Sequence, residues 1–268
     1  MVINMKFLNE FLDEIEINEE AASEIIKEAS KYFVHIAIFD ESTDFNDNYS
    51  SSYFRNHKID LKDIVVKDNK FYGARVTVTG NYSERKTVVV PLHQDNVLIS
   101  FGSEYSSVDA FASIAKLDDI KILNLRDHPE LIVRASSVFQ GYFGIPKDVY
   151  FKSMRDSLLT STYPSWFVAY YQDKYIIGGL GIIENDFHSK KELFPNICAV
   201  YVSDGYRGIR ISELLINEAI ESMHKVGIDT LYVVTDHIGF YEKYGFKYHS
   251  QTMCEDGESR VYIHEYKK

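Results

Sequence analysis

Apolar positions along this chain recur with two periods, and the change from one to the other marks its elements. Leu8, Phe11, Leu12, Ile15, Ile25, Ile26 and Ala29 return near helical spacing, which predicts helix over residues 7–33, with Asn18-Glu-Glu dividing it in two. Val34-His-Ile-Ala-Ile-Phe39 then reads as a strand, and the polar stretch from Asp40 to Asn56 as a loop. From Ile64 to Gly102 the period shortens to two. Ile64-Val-Val, Arg75 to Thr79, Thr87 to Leu92 and Asn96 to Phe101 predict an antiparallel meander, with turns at Asp68-Asn-Lys and Gly80-Asn81. Pro91 cannot donate to a ladder, so it marks a strand end or an edge. Val108 to Leu117 predicts a short helix.

Near Leu117-Asp-Asp the pattern starts again. Ile120 to Leu125 suits a strand, and Pro129 to Phe143 a helix with proline in its first turn. Pro146 to Leu159 suits a second helix. Trp166 to Tyr171 and Tyr175 to Ile183 form a hairpin across Gln172-Asp-Lys. An apolar strand (Ile197 to Val202), a polar turn (Ser203 to Gly208), an amphipathic helix (Ile211 to about Val226) and a second apolar strand (Thr230 to Val234) follow in that order. A last helix carries Phe240-Tyr-Glu-Lys-Tyr-Gly-Phe246, and Arg260 to Glu265 is a closing strand after the turn Asp256-Gly257. The restart predicts two domains, residues 1–117 and 118–268, which suits a chain of 268 residues.

Composition narrows the class of protein. A formal net charge of −11 argues against nucleic acid as a partner, because phosphate binding needs a basic face. Two cysteines, Cys198 and Cys254, provide no disulfide framework, and the N-terminus has neither the basic region nor the apolar run of a signal peptide, so a cytoplasmic protein is expected. No run approaches the roughly 18 apolar residues of a membrane span. No pair of histidines has metal-ligand spacing with a carboxylate partner, so no metal is expected. There is no Gly-Lys-Ser/Thr phosphate loop, and Gly178-Gly-Leu-Gly181 falls inside the hairpin, where glycines permit close approach of a backbone or ligand.

The strand-turn-helix junction is the chemically suggestive part. Free N–H groups of a first helical turn and the positive end of the helix dipole form an anion site. The order of elements from residue 119 onward, this junction and the segment ending in Gly245-Phe246 resemble the GNAT acetyltransferases. The resemblance implies a C-terminal α/β domain with a mixed central sheet flanked by helices, preceded by a smaller α+β domain outside it. The family pattern at the turn is Arg or Gln, two residues, Gly, one residue, then Gly or Ala. Arg207-Gly-Ile-Arg210-Ile-Ser212 matches it at Arg207 and departs from it at Arg210 and Ser212. By resemblance Arg207, Gly208, Ile209, Arg210, Ile211, Ser212 and Glu213 hold the pyrophosphate of acetyl-CoA, and the backbone of Val200, Tyr201 and Val202 holds its pantetheine arm. Arg210 either pairs with phosphate or obstructs it.

Tyr241 matches the family's general acid, a phenol that protonates the departing thiolate; Tyr244 reads as structural. The base is open. Asn196 and Cys198 occupy positions that some relatives use, and neither is a good base. Asp236 and His237 are candidates to bind or deprotonate the acceptor, with helix capping as an alternative for Asp236. Glu184, Asp186 and His188 read as a solvated loop. The resemblance thus implies direct transfer of acetyl from acetyl-CoA to a primary amine in a ternary complex. The departure at Arg210 keeps a second reading open, a degenerate GNAT-fold acyl-CoA-binding or protein-interaction module. A homodimer through terminal-strand exchange or edge pairing is compatible with the chain.

Overall fold

A computed structural model describes residues 5–38, 53–79, 84–94, 96–101, 109–255 and 257–266. The turn at Gly80-Asn81, most of the polar loop from Asp40, and Asp256 of the last turn lie outside the described residues. Two compact units emerge: Met1–Asp119 with Asp204–Ile209, and Ile120–Ser203 with Arg210–Lys268.

The first unit opens with two strands, β1 (Met5–Asn9) and β2 (Glu14–Ile17), where helical spacing predicted a helix. Local turn chemistry overrides the spacing. The Asn9 side chain accepts the N–H groups of Phe11 (2.8 Å) and Asp13 (2.9 Å), and Leu12 takes a φ of 70°, which reverses the chain. Helix α1 (Glu19–Ala29) starts at the expected break: Asn18 Oδ1 accepts the Ala21 N–H at 2.9 Å, and Glu19 and Glu20 occupy the first turn, where acidic groups suit the dipole. It buries Ala22, Ile25 and Ala29.

Seven more strands follow: β3 (Tyr32–Ile38), β4 (Tyr53–Lys58), β5 (Ile64–Lys67), β6 (Lys70–Thr79), β7 (Arg85–Pro91), β8 (Val97–Ser100) and β9 (Asp109–Lys116). They form one sheet in the order β2-β1-β5-β6-β7 and another in the order β4-β3-β9-β8. The expected meander is present as β5-β6-β7, with Asp68 and Asn69 at φ 51° and 56° in its first turn. Pro91 closes β7, an edge strand. Strand β8 leaves for the second sheet, and β1 pairs parallel with β5. Two stretches differ from expectation. Tyr53–Asn56, read as loop, is in β4, and Asp109–Lys116, read as helix, is β9. Alanine favours helix, yet Ala110 and Ala112 alternate on a fully buried face, and burial between β3 and β8 decides the outcome.

The second unit contains β10 (Ile120–Asn124), α2 (Ile132–Phe143), α3 (Lys147–Asp156), β11 (Ser165–Tyr171), β12 (Tyr175–Ile183), β13 (Asn196–Val202), α4 (Ile211–Lys225), β14 (Thr230–Thr235), β15 (Lys247–Cys254) and β16 (Gly257–Glu265). Its seven-stranded sheet runs β10-β11-β12-β13-β14-β16-β15. Only β13 and β14 pair in parallel, so the sheet is mixed. Helices cover both faces. A Cβ on Gly179 would meet the Phe139 ring of α2 at 2.6 Å, while one on Gly178 would meet Ile211 and Leu215 of α4 at 3.3 and 3.4 Å. These glycines therefore admit packed side chains from the two layers. Helix α4 buries Ile211, Leu215, Ile216, Ala219, Ile220 and Met223 on one stripe, each large side chain worth up to about 1.5–3 kcal/mol of transfer free energy. The expected last helix is only a 3-10 turn, Tyr241–Tyr244, ended by Gly245 at φ 87°.

Candidate functional site

Strand β13 is irregular in two ways. Its partners on β12 are Gly181 for Cys198 and Gly179 for Tyr201, so three steps on one strand match two on the other. The extra residue is a β-bulge, and Ala199 sits in it with φ 50°, a conformation that costs a non-glycine residue about 1 kcal/mol or more. On the other edge, the parallel register with β14 covers only Asn196–Tyr232 and Ile197–Val233. The ladder between β13 and β14 does not continue past Ile197 among the described residues. Val200 and Val202, named from the sequence for pantetheine, are half-buried on this stretch, and Tyr201 is buried.

The turn after β13 leads to α4. Arg207 is exposed and forms an ion pair with Asp204 at 2.8 Å. Gly208 has φ 81° and Ile209 is buried. These three residues group with the first unit. Arg210, the residue preceding α4, has φ 70° and ψ 13°. Left-handed backbone is the reason a glycine suits this position; arginine holds it at a cost of about 1–2 kcal/mol. Its guanidinium lies back along the helix, with Nε and Nη2 donating to the two Glu213 carboxylate oxygens at 2.9 and 2.6 Å. That pair holds the Glu213 carboxyl below its usual range. Among the described residues no side chain caps α4, so the first-turn amides from Ile211 to Glu213 remain at the positive end of its dipole. Ser212 Oγ lies 3.2 Å from Tyr244 Oη, tying this helix start to the 3-10 turn.

Tyr241 opens that turn and is buried, packed edge-to-face on Phe240 and Phe246. Burial first, then the negative charge of Asp186, raises its hydroxyl well above the ordinary phenol value, so the group is protonated at neutral pH. Asp236 and His237 are both exposed, and the 3-10 turn has no side-chain cap, so Asp236 does not cap it.

The loop between β12 and β13 is ordered by side chains, contrary to the solvated loop expected from its sequence. Glu184 is exposed, but His188 is 1% exposed. Asn196 Oδ1 accepts the Asp186 N–H at 2.9 Å and lies 3.0 Å from His188 Nε2, while Asn196 Nδ2 donates to the Leu193 carbonyl at 3.1 Å. Burial pushes the Asp186 carboxyl up to about 6. Above this loop Cys198 packs among Phe139, Tyr150, Trp166 and Tyr201. Burial raises its thiol well above the usual value, which makes it a poor nucleophile. The Tyr150 and Tyr201 hydroxyls are buried with no hydrogen-bond partner among the described residues. The signal that would have found Asp186 is Asn196: a buried amide at a strand start, ten residues from the amide it holds.

Among the described residues no group of His, Cys, Asp and Glu is arranged to hold a metal, and no helix is long and apolar enough to cross a membrane. The fold and the junction define a class, a mixed sheet with a split parallel pair leading into an uncapped helix. Residues 133–246 match the family described as Acetyltransferase (GNAT) family. Similar solved structures include a GNAT-family acetyltransferase from Staphylococcus aureus Mu50, 21% identical over 55% of this chain and 99% of that one, with a TM-score of 0.41. Another is a GNAT-family N-acetyltransferase from Escherichia coli in complex with CoA, 16% identical over 55% and 81% with a TM-score of 0.37. A third is a GNAT-family acetyltransferase from Brucella melitensis in complex with acetyl-CoA, 13% identical over 56% and 89% with a TM-score of 0.39. No curated protein matches this chain.

Proposed function

We propose that the C-terminal half, residues 118–268, transfers an acetyl group from acetyl-CoA to a primary amine by direct attack in a ternary complex. The observation that carries this reading is the end of β13: a bulge at Ala199 and a parallel register that stops at Ile197, leading into an uncapped α4. Main chain from Val200 to Val202 would take the pantetheine arm as an added strand. The chain from Gly208 to Glu213 would hold the pyrophosphate, with the α4 amides donating to it. Arg210 must leave Glu213 to reach phosphate.

Tyr241 is the general acid in this reading. As the C–S bond of the tetrahedral adduct breaks, the phenol gives its proton to the thiolate of CoA. A buried phenol with a raised pKa is protonated before each cycle, as an acid must be. A homodimer and a cytoplasmic setting are compatible with this activity, which requires neither.

Calorimetric titration with acetyl-CoA, beside free CoA, tests the reading. Micromolar binding of both is expected; a folded sample that binds neither overturns it. The pairing of Arg210 with Glu213 favours one alternative, an acyl-CoA-binding module without turnover. That module binds acetyl-CoA and releases no CoA thiol with any primary amine, whereas the enzyme does both.

A further inference from the structure

Asp186 lies three residues beyond β12, and its position is fixed by backbone rather than by its own carboxylate. Its N–H is held by Asn196, which is fully buried. The loop is fastened to β15 by the Ser189 N–H donating to the Met253 carbonyl at 2.9 Å. The carboxylate is half-buried, and no cation or hydrogen-bond donor among the described residues pairs with it. A half-buried carboxylate is ordinarily paired, because desolvation without compensation is costly.

Its neighbours are informative. Asn196 and Cys198 are two apart on β13, before the bulge, so their side chains share one face of the sheet. Cys198 belongs to one buried cluster with Tyr150 of α3, which is 3% exposed and whose hydroxyl has no hydrogen-bond partner among the described residues. Burial raises the Tyr150, Cys198 and Tyr241 groups, and the negative charge of Asp186 adds a smaller upward push at each. Its own loop also carries Glu184, Lys190 and Glu192, buried His188, and Lys191, whose ammonium is occupied by Asn185 Oδ1 at 2.7 Å.

We propose that Asp186 is the catalytic base that receives the acceptor amine, docking its ammonium against the carboxylate; this rests on the acetyltransferase reading of the domain. One N–H proton passes to the Asp186 carboxylate. The freed lone pair attacks the thioester carbonyl carbon and forms the C–N bond. The C–S bond breaks, its electron pair leaves on sulfur, and Tyr241 protonates the thiolate. The second nitrogen proton returns to the Tyr241 oxygen through solvent, and Asp186 releases its proton to water. The sum is ammonium plus acetyl-CoA giving amide, CoA thiol and one proton.

The test uses the full chain and Asp186→Asn. Carbon-13 NMR of aspartate labelled at the carboxyl carbon should show one resonance, absent in the variant, that titrates near pH 6; a midpoint in the ordinary carboxylate range near 4 overturns the proposal. With acetyl-CoA and benzylamine as the probe, wild-type kcat/KM should rise with pH through about 6. The variant should fall about 100-fold or more at pH 7 and lose that limb while binding acetyl-CoA equally well. An unchanged rate with an unchanged limb overturns it. Loss of acetyl-CoA binding by the wild type would instead sink the acetyltransferase reading, a different result from either outcome at Asp186.

Discussion

Strand β13 has a charged group at each end, and the two ends treat charge in opposite ways. After its C-terminal end, Arg210 and Glu213 neutralise each other at the exposed start of α4. At its N-terminal end, the Asp186 carboxylate is held half-buried with no partner among the described residues. An exposed ion pair contributes little and exchanges partners readily, so the first arrangement can open for a phosphate at small cost. An unpaired carboxylate out of water is unfavourable in the free protein, and it becomes favourable when a cation arrives. In the proposed scheme one end takes an anion and the other an ammonium group.

The largest effect that would break this contrast is on chemistry. Tyr241→Phe should lower turnover by roughly 100- to 10,000-fold while leaving the acetyl-CoA Kd within about twofold, as read by stopped-assay kinetics and calorimetry. Equal turnover would remove the acid from the scheme. Next comes Gly181→Ala, whose Cβ would stand 2.6 Å from the Trp166 ring. It should lower stability by about 2–3 kcal/mol in a denaturant titration by forcing the aromatic wall behind Cys198 to shift.

A third prediction concerns the cost of the lone carboxylate. The folded Asp186 value, about 6, lies above the ordinary unfolded value. The folded protein therefore binds the extra proton, and its stability is highest below the unfolded value and declines as pH rises through 6. Asp186→Asn removes the penalty. After discounting for partial solvent access, the variant should be about 1–2 kcal/mol more stable at pH 7, melting a few degrees higher, with the gain vanishing below about pH 4. Equal melting at both pH values would mean that the carboxylate is better solvated than its burial implies. The smallest effect is at the other end. Glu213→Gln frees the Arg210 guanidinium and should tighten acetyl-CoA binding a few-fold at low salt, less at high salt.

Much of this was legible in the chain because the relevant information is local. The β11–β12 hairpin follows from two apolar runs and a polar turn, and Gln172 and Asp173 take φ values of 53° and 51° there. The strand-turn-helix junction followed from an apolar run, a polar turn and an amphipathic stretch in one segment. What escaped notice depends on longer reach or on side-chain chemistry that mimics another pattern. Leu8, Phe11, Leu12 and Ile15 have helical spacing, but Asn9 folds the chain back before a helical turn closes. Asp186 looked solvated because the side-chain amide that holds it belongs to β13, ten residues further on. The difficulty at Arg210 was visible as a departure from a pattern, but its cause, a left-handed backbone, is a property of three dimensions.

The bulge at Ala199 carries a further consequence, best put as a phase shift. A regular strand assigns odd and even residues to opposite faces; here the parity reverses at Ala199, so Cys198 and Tyr201, three apart, look the same way. Every residue from Val200 to Val202 owes its side to that single inserted step. Substitutions in β13 change what a face carries, whereas deleting Ala199 would exchange the faces themselves, turning Tyr201 away from Phe139 and the strand's continuation out of line with α4.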